Sequence, residues 1–253
     1  MTPPDDQLAA KLLRLEELEH NFTLAVERAK LAALKEFAYG ASHEINNPLA
    51  NISTRAQALL AEERHPERRK KLALIVAQAF RAHEMISDLM LFAKPPPLTL
   101  GEVGLAGLIA TIVAECRTEA GDQLVEVFCE VDPPELAIVA DATQLGVALK
   151  ALIRNALEAL TLRQDAAGGR IKIAATAEGD SFMISVADNG PGIEPHVREH
   201  LFDPFFSGRE AGRGLGFGLP KCWRIAELHG GRIEVDSEPG EGATFRLSLP
   251  ARS

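Results

Sequence analysis

The chain has 253 residues, 46% of them apolar and 25% charged, with 20 Gly, 15 Pro and a formal net charge of -9. This composition excludes disorder and collagen-like repeats and leaves room for two modest domains. With 27 Lys+Arg against 36 Asp+Glu and no basic patch of any size, the surface repels polyanions, so nucleic acid is not an expected partner.

Three cysteines, Cys116, Cys129 and Cys222, lie far apart and form no C-x-x-C pair. Neither a disulfide framework nor a thiolate zinc site is indicated, and a reduced, cytoplasmic setting is expected. No stretch approaches the roughly 18 uninterrupted apolar residues of a membrane span. The start, MTPPDDQLAA, lacks a basic region followed by an apolar one, so no membrane span and no export are expected.

From Gln7 to Leu60 apolar residues recur at heptad spacing: Leu8, Leu15, Phe22 and Ala29 form one series, and Leu12, Val26 and Ala33 a second that Glu19 interrupts. The pattern predicts one long helix paired with at least one other, with a coiled coil over 1–36. A polar break around Glu62 to Arg69 ends it, and Pro66 suits the first turn of the next helix. Leu72, Val76, Ala79, Ile86, Leu89 and Ala93 place an apolar stripe on that second helix. Two helices alone cannot bury both stripes, and a homodimer forming a four-helix bundle solves the burial problem.

Lys94-Pro95-Pro96-Pro97 stops the second helix, and a stiff linker over 95–99 marks the domain boundary. Over 100–253 strands and helices alternate. Helices are predicted near Leu105 to Glu119, Thr143 to Leu162 and Leu215 to Leu228. Strands are predicted near Val125 to Val131, Leu136 to Val139, Arg170 to Ala177, Ser181 to Ala187, Arg232 to Ser237 and Ala243 to Leu249. The tight Glu178-Gly179-Asp180 connection reads as a hairpin. The fold class is therefore an α helical hairpin followed by an α+β sandwich, rather than a doubly wound parallel sheet.

Within the first helix lies His43-Glu44-Ile45-Asn46-Asn47-Pro48. A zincin needs a second histidine where Asn47 stands, so the zinc reading fails. Extending the early heptads puts His43 on the helix seam. The local stripe Ile45, Leu49, Ile52, Ala56 and Leu59 instead puts it about 180° from Ile52 and about 200° from Ile45, pointing to solvent with Asn47 one turn on. An exposed imidazole beside Glu44 can act as a nucleophile, because the carboxylate holds one ring nitrogen protonated and leaves the other a free lone pair. Pro48 cannot donate to the Glu44 carbonyl, so a bend is expected there. These residues alone leave a solvated structural histidine and a functional one both open.

Asp188-Asn189-Gly190-Pro191-Gly192 ends a strand, where a carboxylate needs a partner and Gly190 and Gly192 permit close backbone approach to a ligand. Gly212-Arg213-Gly214-Leu215-Gly216-Phe217-Gly218 opens a predicted helix, whose free N–H groups and positive end suit phosphate. Asn155, inside an apolar helical segment, could complete the shell of a magnesium ion held mainly by phosphates. In isolation each also has a plain reading as a turn or an exposed helix position.

Taken in order, these segments resemble the core of a bacterial sensor histidine kinase. His43 to Leu49 matches the H box, Arg154-Asn155-Ala156 the N box and Asp188 to Gly192 the first glycine box. Phe202-Asp203-Pro204-Phe205-Phe206 matches the F box, Gly212 to Gly218 the second glycine box, and Gly240 to Phe245 a final glycine motif. The resemblance implies a dimerisation and phosphoacceptor domain over 37–94 and a Bergerat-type ATP-binding domain over 100–253. It implies that His43 accepts the γ-phosphoryl group with Glu44 as acid/base partner, and that Asn47 positions water for dephosphorylation of a response regulator receiver domain. It further implies that Asp188 meets the adenine amino group, that Asn155 helps ligate Mg²⁺, and that Gly190, Gly192, Arg209, Gly212, Gly214, Leu215, Gly216 and Thr244 contribute to the ATP site.

Ser207 to Ala211 leaves only a short ATP lid, with Arg209 placed to reach a phosphate. Ala151 stands where family members often carry a second Asn and where related ATPases carry a water-activating Glu, which favours transfer to His43 over hydrolysis. An ATP-hydrolysing switch and a regulator-binding scaffold without kinase activity are the competing functions. With the length nearly filled by this core, the input is expected from an upstream sensor domain of a longer kinase or from a partner docking on the first helix.

Overall fold

The structure is a computed structural model that describes residues 4–120, 125–162, 168–206 and 216–251. The chain forms two compact units, Met1–Pro95 and Pro96–Ser253.

The first unit is a hairpin of α1 (Pro4–Glu62) and α2 (Pro66–Ala93). α1 continues through Pro48 without interruption. The turn between the helices is held by polar groups at the ends they leave unsatisfied. Glu63 Oε1 accepts the N–H groups of Arg64 and His65, each at 2.9 Å. Arg69 Nη1 donates to the carbonyls of Leu60 at 2.9 Å and Glu63 at 2.8 Å, and Pro66 sits in the first turn of α2.

Ala79, Ile86, Leu89 and Ala93 of the expected α2 stripe are buried, and Leu72 and Val76 half-buried. The expected α1 stripe divides. Leu49 is half-buried and Ala56 buried, whereas Ile45, Ile52 and Leu59 remain exposed at 40%, 48% and 59%. The buried or half-buried side of α1 runs instead through Ala38, Ser42, Asn46, Leu49, Ser53, Ala56 and Leu60. Heptad spacing reports that a helix has an apolar stripe, but not how two neighbours share it.

The second unit begins with β1 (Gly101–Gly104), which pairs antiparallel with β3 (Ala137–Ala140) in a two-stranded sheet. A mixed five-stranded sheet follows the order β2-β4-β5-β7-β6, from β2 (Val125–Asp132), β4 (Gly169–Glu178), β5 (Ser181–Asp188), β6 (Arg232–Glu238) and β7 (Gly242–Pro250). β2 and β4 are parallel and the other pairs antiparallel. Gly179 at φ +59 is the first residue of the two-residue β4–β5 turn, a conformation that an L side chain adopts with strain.

One face of the sheet is apolar: Ile171, Ile173, Ile184, Val186, Phe245 and Leu247 are all at most 1% exposed. The helices of this unit are α3 (Leu105–Ala120), α4 (Ala142–Leu160) and α6 (Gly218–Leu228). They bury Ile109, Leu145, Leu149, Leu152, Cys222 and Ile225, which completes the sandwich expected from the sequence. Strand β1 and the single turn α5 (Pro195–Arg198) have no counterpart in the sequence reading. α6 begins at Gly218, three residues after the predicted Leu215, and 207–215 lie outside the described residues.

Candidate nucleotide and phosphoacceptor sites

Asp188 is the last residue of β5 and is 9% exposed. Its Oδ1 accepts the Gly190 N–H at 2.8 Å, so the carboxylate that ends the strand also folds back the loop that follows. Asn189 pins that loop to the neighbouring strand: its Oδ1 accepts from the Arg170 N–H at 2.7 Å and its Nδ2 donates to the Gly168 carbonyl at 3.2 Å.

Glycine is required here by close packing. A Cβ on Gly190 would lie 2.6 Å from Asp188 Oδ1 and 3.2 Å from the Ala159 Cβ of α4. Gly192 has φ +72 and an added Cβ would strike the Glu238 carbonyl oxygen. Gly242 has φ +87 and an added Cβ would strike the Asp188 carbonyl oxygen. The Gly240 N–H donates to the Pro191 carbonyl at 2.7 Å, while Ser237 Oγ accepts from Ile193 N–H at 3.0 Å and donates to the Gly242 carbonyl at 2.6 Å. The first and last glycine motifs are thus interlocked around the end of β5.

Asn155 is half-buried on α4, one turn before the Ala159 that Gly190 approaches, so about 6 Å of helix separates it from the loop. Ala151 lies one turn earlier and is also half-buried. At the other end of the site, Gly216 has φ +73 and an added Cβ would strike the Phe206 carbonyl oxygen. Phe205, with the left-handed φ of 66, meets the buried Phe217 edge-on at 4.9 Å between ring centroids. The residues flanking 207–215 are therefore held together. Arg209, Gly212, Gly214 and Leu215 lie outside the described residues.

Thr244 lies on the other face of the sheet from the Asp188 side chain. Asp188 pairs with Ala243 across β5 and β7, and alternation along β7 buries Ala243, Phe245 and Leu247 while turning Thr244 and Arg246 to the opposite face. Thr244 is therefore separated from the Asp188 side chain by the sheet itself, and Ala243 occupies the place beside it. Strand parity, counted back from the buried Phe245, carries that signal in the sequence. Ser237 and Ala159 were also missed: neither has reactive chemistry, and only their tertiary neighbours give them a role.

On α1, Glu44 and Asn47 are exposed. The His43 backbone is helical, and the expected orientation of its side chain lies outside what the structure describes. Asn46 is half-buried and its Oδ1 lies 3.0 Å from His83 Nδ1 of α2, a cross-hairpin hydrogen bond one turn from His43.

The groups present fit a nucleotide with a phosphate-held cation. A buried carboxylate beside two glycines whose Cβ positions are filled by neighbours can take a planar donor at close range. Among the described residues no cluster of three or more His, Cys, Asp or Glu side chains could hold a metal, so a cation here would depend on phosphate oxygens plus a neutral ligand such as Asn155.

Residues 33–97 match the His Kinase A (phospho-acceptor) domain, and residues 140–253 match the family of histidine kinase-, DNA gyrase B-, and HSP90-like ATPases. Sensory histidine kinase/phosphatase NtrB of Salmonella typhimurium is 32% identical over 265 residues, covering 100% of this chain and 69% of that protein. Sporulation kinase C of Bacillus subtilis is 32% identical over 241 residues, covering 94% of this chain and 54% of its own length. The chain spans about half the length of several curated relatives it matches, 47% for sensor protein FixL of Bradyrhizobium diazoefficiens.

Among solved structures, full-length ShkA in complex with AMPPNP superposes with a TM-score of 0.74 at 26% identity, covering 86% of this chain and 46% of that one. Histidine kinase ThkA in complex with response regulator protein TrrA gives 0.63 at 26% identity, covering 89% and 64%. Two matched domains in the order of the motifs, and a relative aligned along the whole chain, place this protein in the sensor histidine kinase family.

Proposed function

We propose that the chain is the ATP-dependent kinase core of a two-component signalling protein, autophosphorylating His43 and passing the phosphoryl group to an aspartate of a response regulator receiver domain. The observation that carries this reading is the buried Asp188 locked by Gly190 against α4, one turn from Asn155, in the unit that follows the His43 hairpin.

In this reading Asp188 accepts the adenine amino hydrogen and Asn155 contributes a neutral oxygen near the phosphates. Mg²⁺, when bound, neutralises phosphate charge. Glu44 keeps one His43 ring nitrogen protonated and orients the ring. The lone pair of the other nitrogen attacks the γ-phosphorus, an N–P bond forms, and the bond from phosphorus to the bridging oxygen breaks as ADP leaves. Phosphoryl transfer of this kind asks mainly for positioning and charge neutralisation. Arg209, Gly212, Gly214, Leu215 and Gly216 are assigned to the phosphate end of the site.

Asn47, exposed one turn beyond His43, is assigned to orienting water in a second activity, dephosphorylation of the regulator. The relative named a histidine kinase/phosphatase supports this assignment. A homodimer is supported by the apolar residues the hairpin leaves exposed: Ile45, Ile52 and Leu59 on α1 and Leu74, Ile75 and Phe80 on α2, from 40% to 59%. No described helix is long and apolar enough to cross a membrane, and the three free cysteines accord with a cytoplasmic setting. The input, from a sensor domain or a partner, acts through α1.

Incubation with γ-labelled ATP and Mg²⁺ tests the reading. The wild type is expected to become labelled and His43→Gln to remain unlabelled while still binding ATP. Steady phosphate release from His43→Ala favours an ATP-hydrolysing switch instead. An unlabelled wild type that still binds a regulator favours a scaffold.

A further inference from the structure

The ATP-binding unit contains a buried polar cluster that the phosphoryl chemistry does not use. Asp141, 6% exposed, is the N-cap of α4 and accepts the Gln144 N–H on Oδ1 at 3.0 Å. Its Oδ2 accepts the N–H of Thr99 at 2.8 Å, and its own N–H donates to His229 Nε2 at 3.0 Å. His229, 2% exposed at the C-terminal end of α6, has Nδ1 2.8 Å from the Ile225 carbonyl. A carbonyl only accepts and a backbone N–H only donates, so the ring is neutral with its proton on Nδ1.

Gln144, 3% exposed, donates from Nε2 to the Pro96 carbonyl at 3.0 Å, while its buried Oε1 has no hydrogen-bond partner among the described residues. What the residue achieves is a grip on Pro96, the first residue of the second unit. Pro96, Asp141 and His229 thus join the entering chain to the start of the Asn155 helix and to the end of α6.

We propose that Asp141, Gln144 and His229 form an anchor that clamps the segment from Pro96 to Thr99 onto the ATP-binding unit, and that they are positioning residues for phosphoryl transfer to His43. The proposal rests on the kinase reading. α2 ends at Ala93, the Lys94 N–H donates to the Met90 carbonyl, and the first clamped residue is Pro96, which leaves Pro95 between the two fixed points. Without the Gln144 grip the next fixed point is Thr99 and the released span is 95–98. Without either it is 95–100, up to the pairing of Gly101 with Ala140. A longer released span lowers the local concentration of one tethered reactant at the other, so the transfer rate falls in that order, by more than about twofold.

The test uses the full chain as wild type, Gln144→Met and Gln144→Met/Thr99→Pro, with three measurements: AMPPNP affinity by calorimetry, autophosphorylation rate at saturating ATP, and Thr99 amide exchange where residue 99 keeps its N–H. The expected result is an affinity within about twofold of wild type, rates lower by more than about twofold with the double variant the slower, and a faster-exchanging Thr99 amide in Gln144→Met. Because Met also removes the orphaned oxygen, that variant is expected to melt no lower than wild type.

Rates within twofold of wild type in both variants overturn the proposal, and so does a parallel fall in affinity, rate and melting temperature, which marks a purely structural cluster. An unlabelled wild type overturns the kinase reading and this proposal together. A labelled wild type with unaffected variants overturns the anchor alone.

Discussion

Asp188 Oδ1 and the Gly190 amide nitrogen lie 2.8 Å apart, and a Cβ on residue 190 would come 2.6 Å from that same oxygen. The carboxylate assigned to adenine is therefore positioned by the smallest side chain in its own loop. Gly190→Ala is expected to displace Asp188 and weaken ATP binding by at least about tenfold, the scale of one charge-assisted hydrogen bond. Calorimetric titration measures the affinity, and circular dichroism checks that the variant remains folded.

Gly242 and Gly240 separate backbone strain from steric collision. Both have positive φ, +87 and +88, but an added Cβ meets the Asp188 carbonyl only at 242 and meets nothing within 4 Å at 240. Gly240→Ala is expected to lose about 1 kcal/mol from strain, and Gly242→Ala at least about 3 kcal/mol from strain plus collision. Urea denaturation of the two variants provides the comparison, and equal losses would contradict it.

Ile52 is 48% exposed on the helix that carries His43. If a second copy covers that face, Ile52→Glu buries a charge at the interface and is expected to convert the dimer to monomer at micromolar concentration. Sedimentation velocity distinguishes the two states. A variant that sediments as wild type would remove Ile52 from the interface.

Burial works to raise the Asp141 carboxyl, yet the N–H groups of Gln144, Thr99 and Thr143 outweigh it and hold the group below its ordinary value. A depressed folded-state pKa contributes stability that is present above the unfolded value, about 3.9 for Asp, and lost as pH falls through the folded one. Wild type is therefore expected to exceed Asp141→Asn in stability at neutral pH, with the gap closing below about pH 4. Denaturant midpoints of both proteins across that range measure it. A gap independent of pH would show that the charge contributes nothing.

Much of the architecture was legible because it is written in local periodicity. The α2 stripe, the Pro66 start, the strands of the large sheet and the Gly179 turn each follow from a repeat of 3.6 or 2 or from a backbone demand that few residues meet. β1 escaped because Gly101-Glu102-Val103-Gly104 has neither length nor alternation, and only pairing with β3 makes it a strand. Asp188, Asn155 and the glycines stood out because a carboxylate, an amide and crowded glycines in apolar surroundings need a reason. Thr244, which the final glycine motif implied, lies on the sheet face opposite the Asp188 side chain, and strand pairing is what shows it.

The sequence by itself determined the two domain types, their order and the residues with chemistry to offer, since each depends on neighbours within a few positions. Only the tertiary structure decided which of those residues meet. It set Ala243 rather than Thr244 beside Asp188, and it divided the α1 stripe between an inner and an exposed side. It also brought the exposed Pro96 and Thr99 onto the buried Gln144, Asp141 and His229. Hydrogen bonds across 42, 48 and 88 positions leave no periodic trace in a single chain, because their geometry exists only once the sheet and helices have packed. The low net charge density and 253-residue length permitted such a core; the packing made it one with a fixed point of entry.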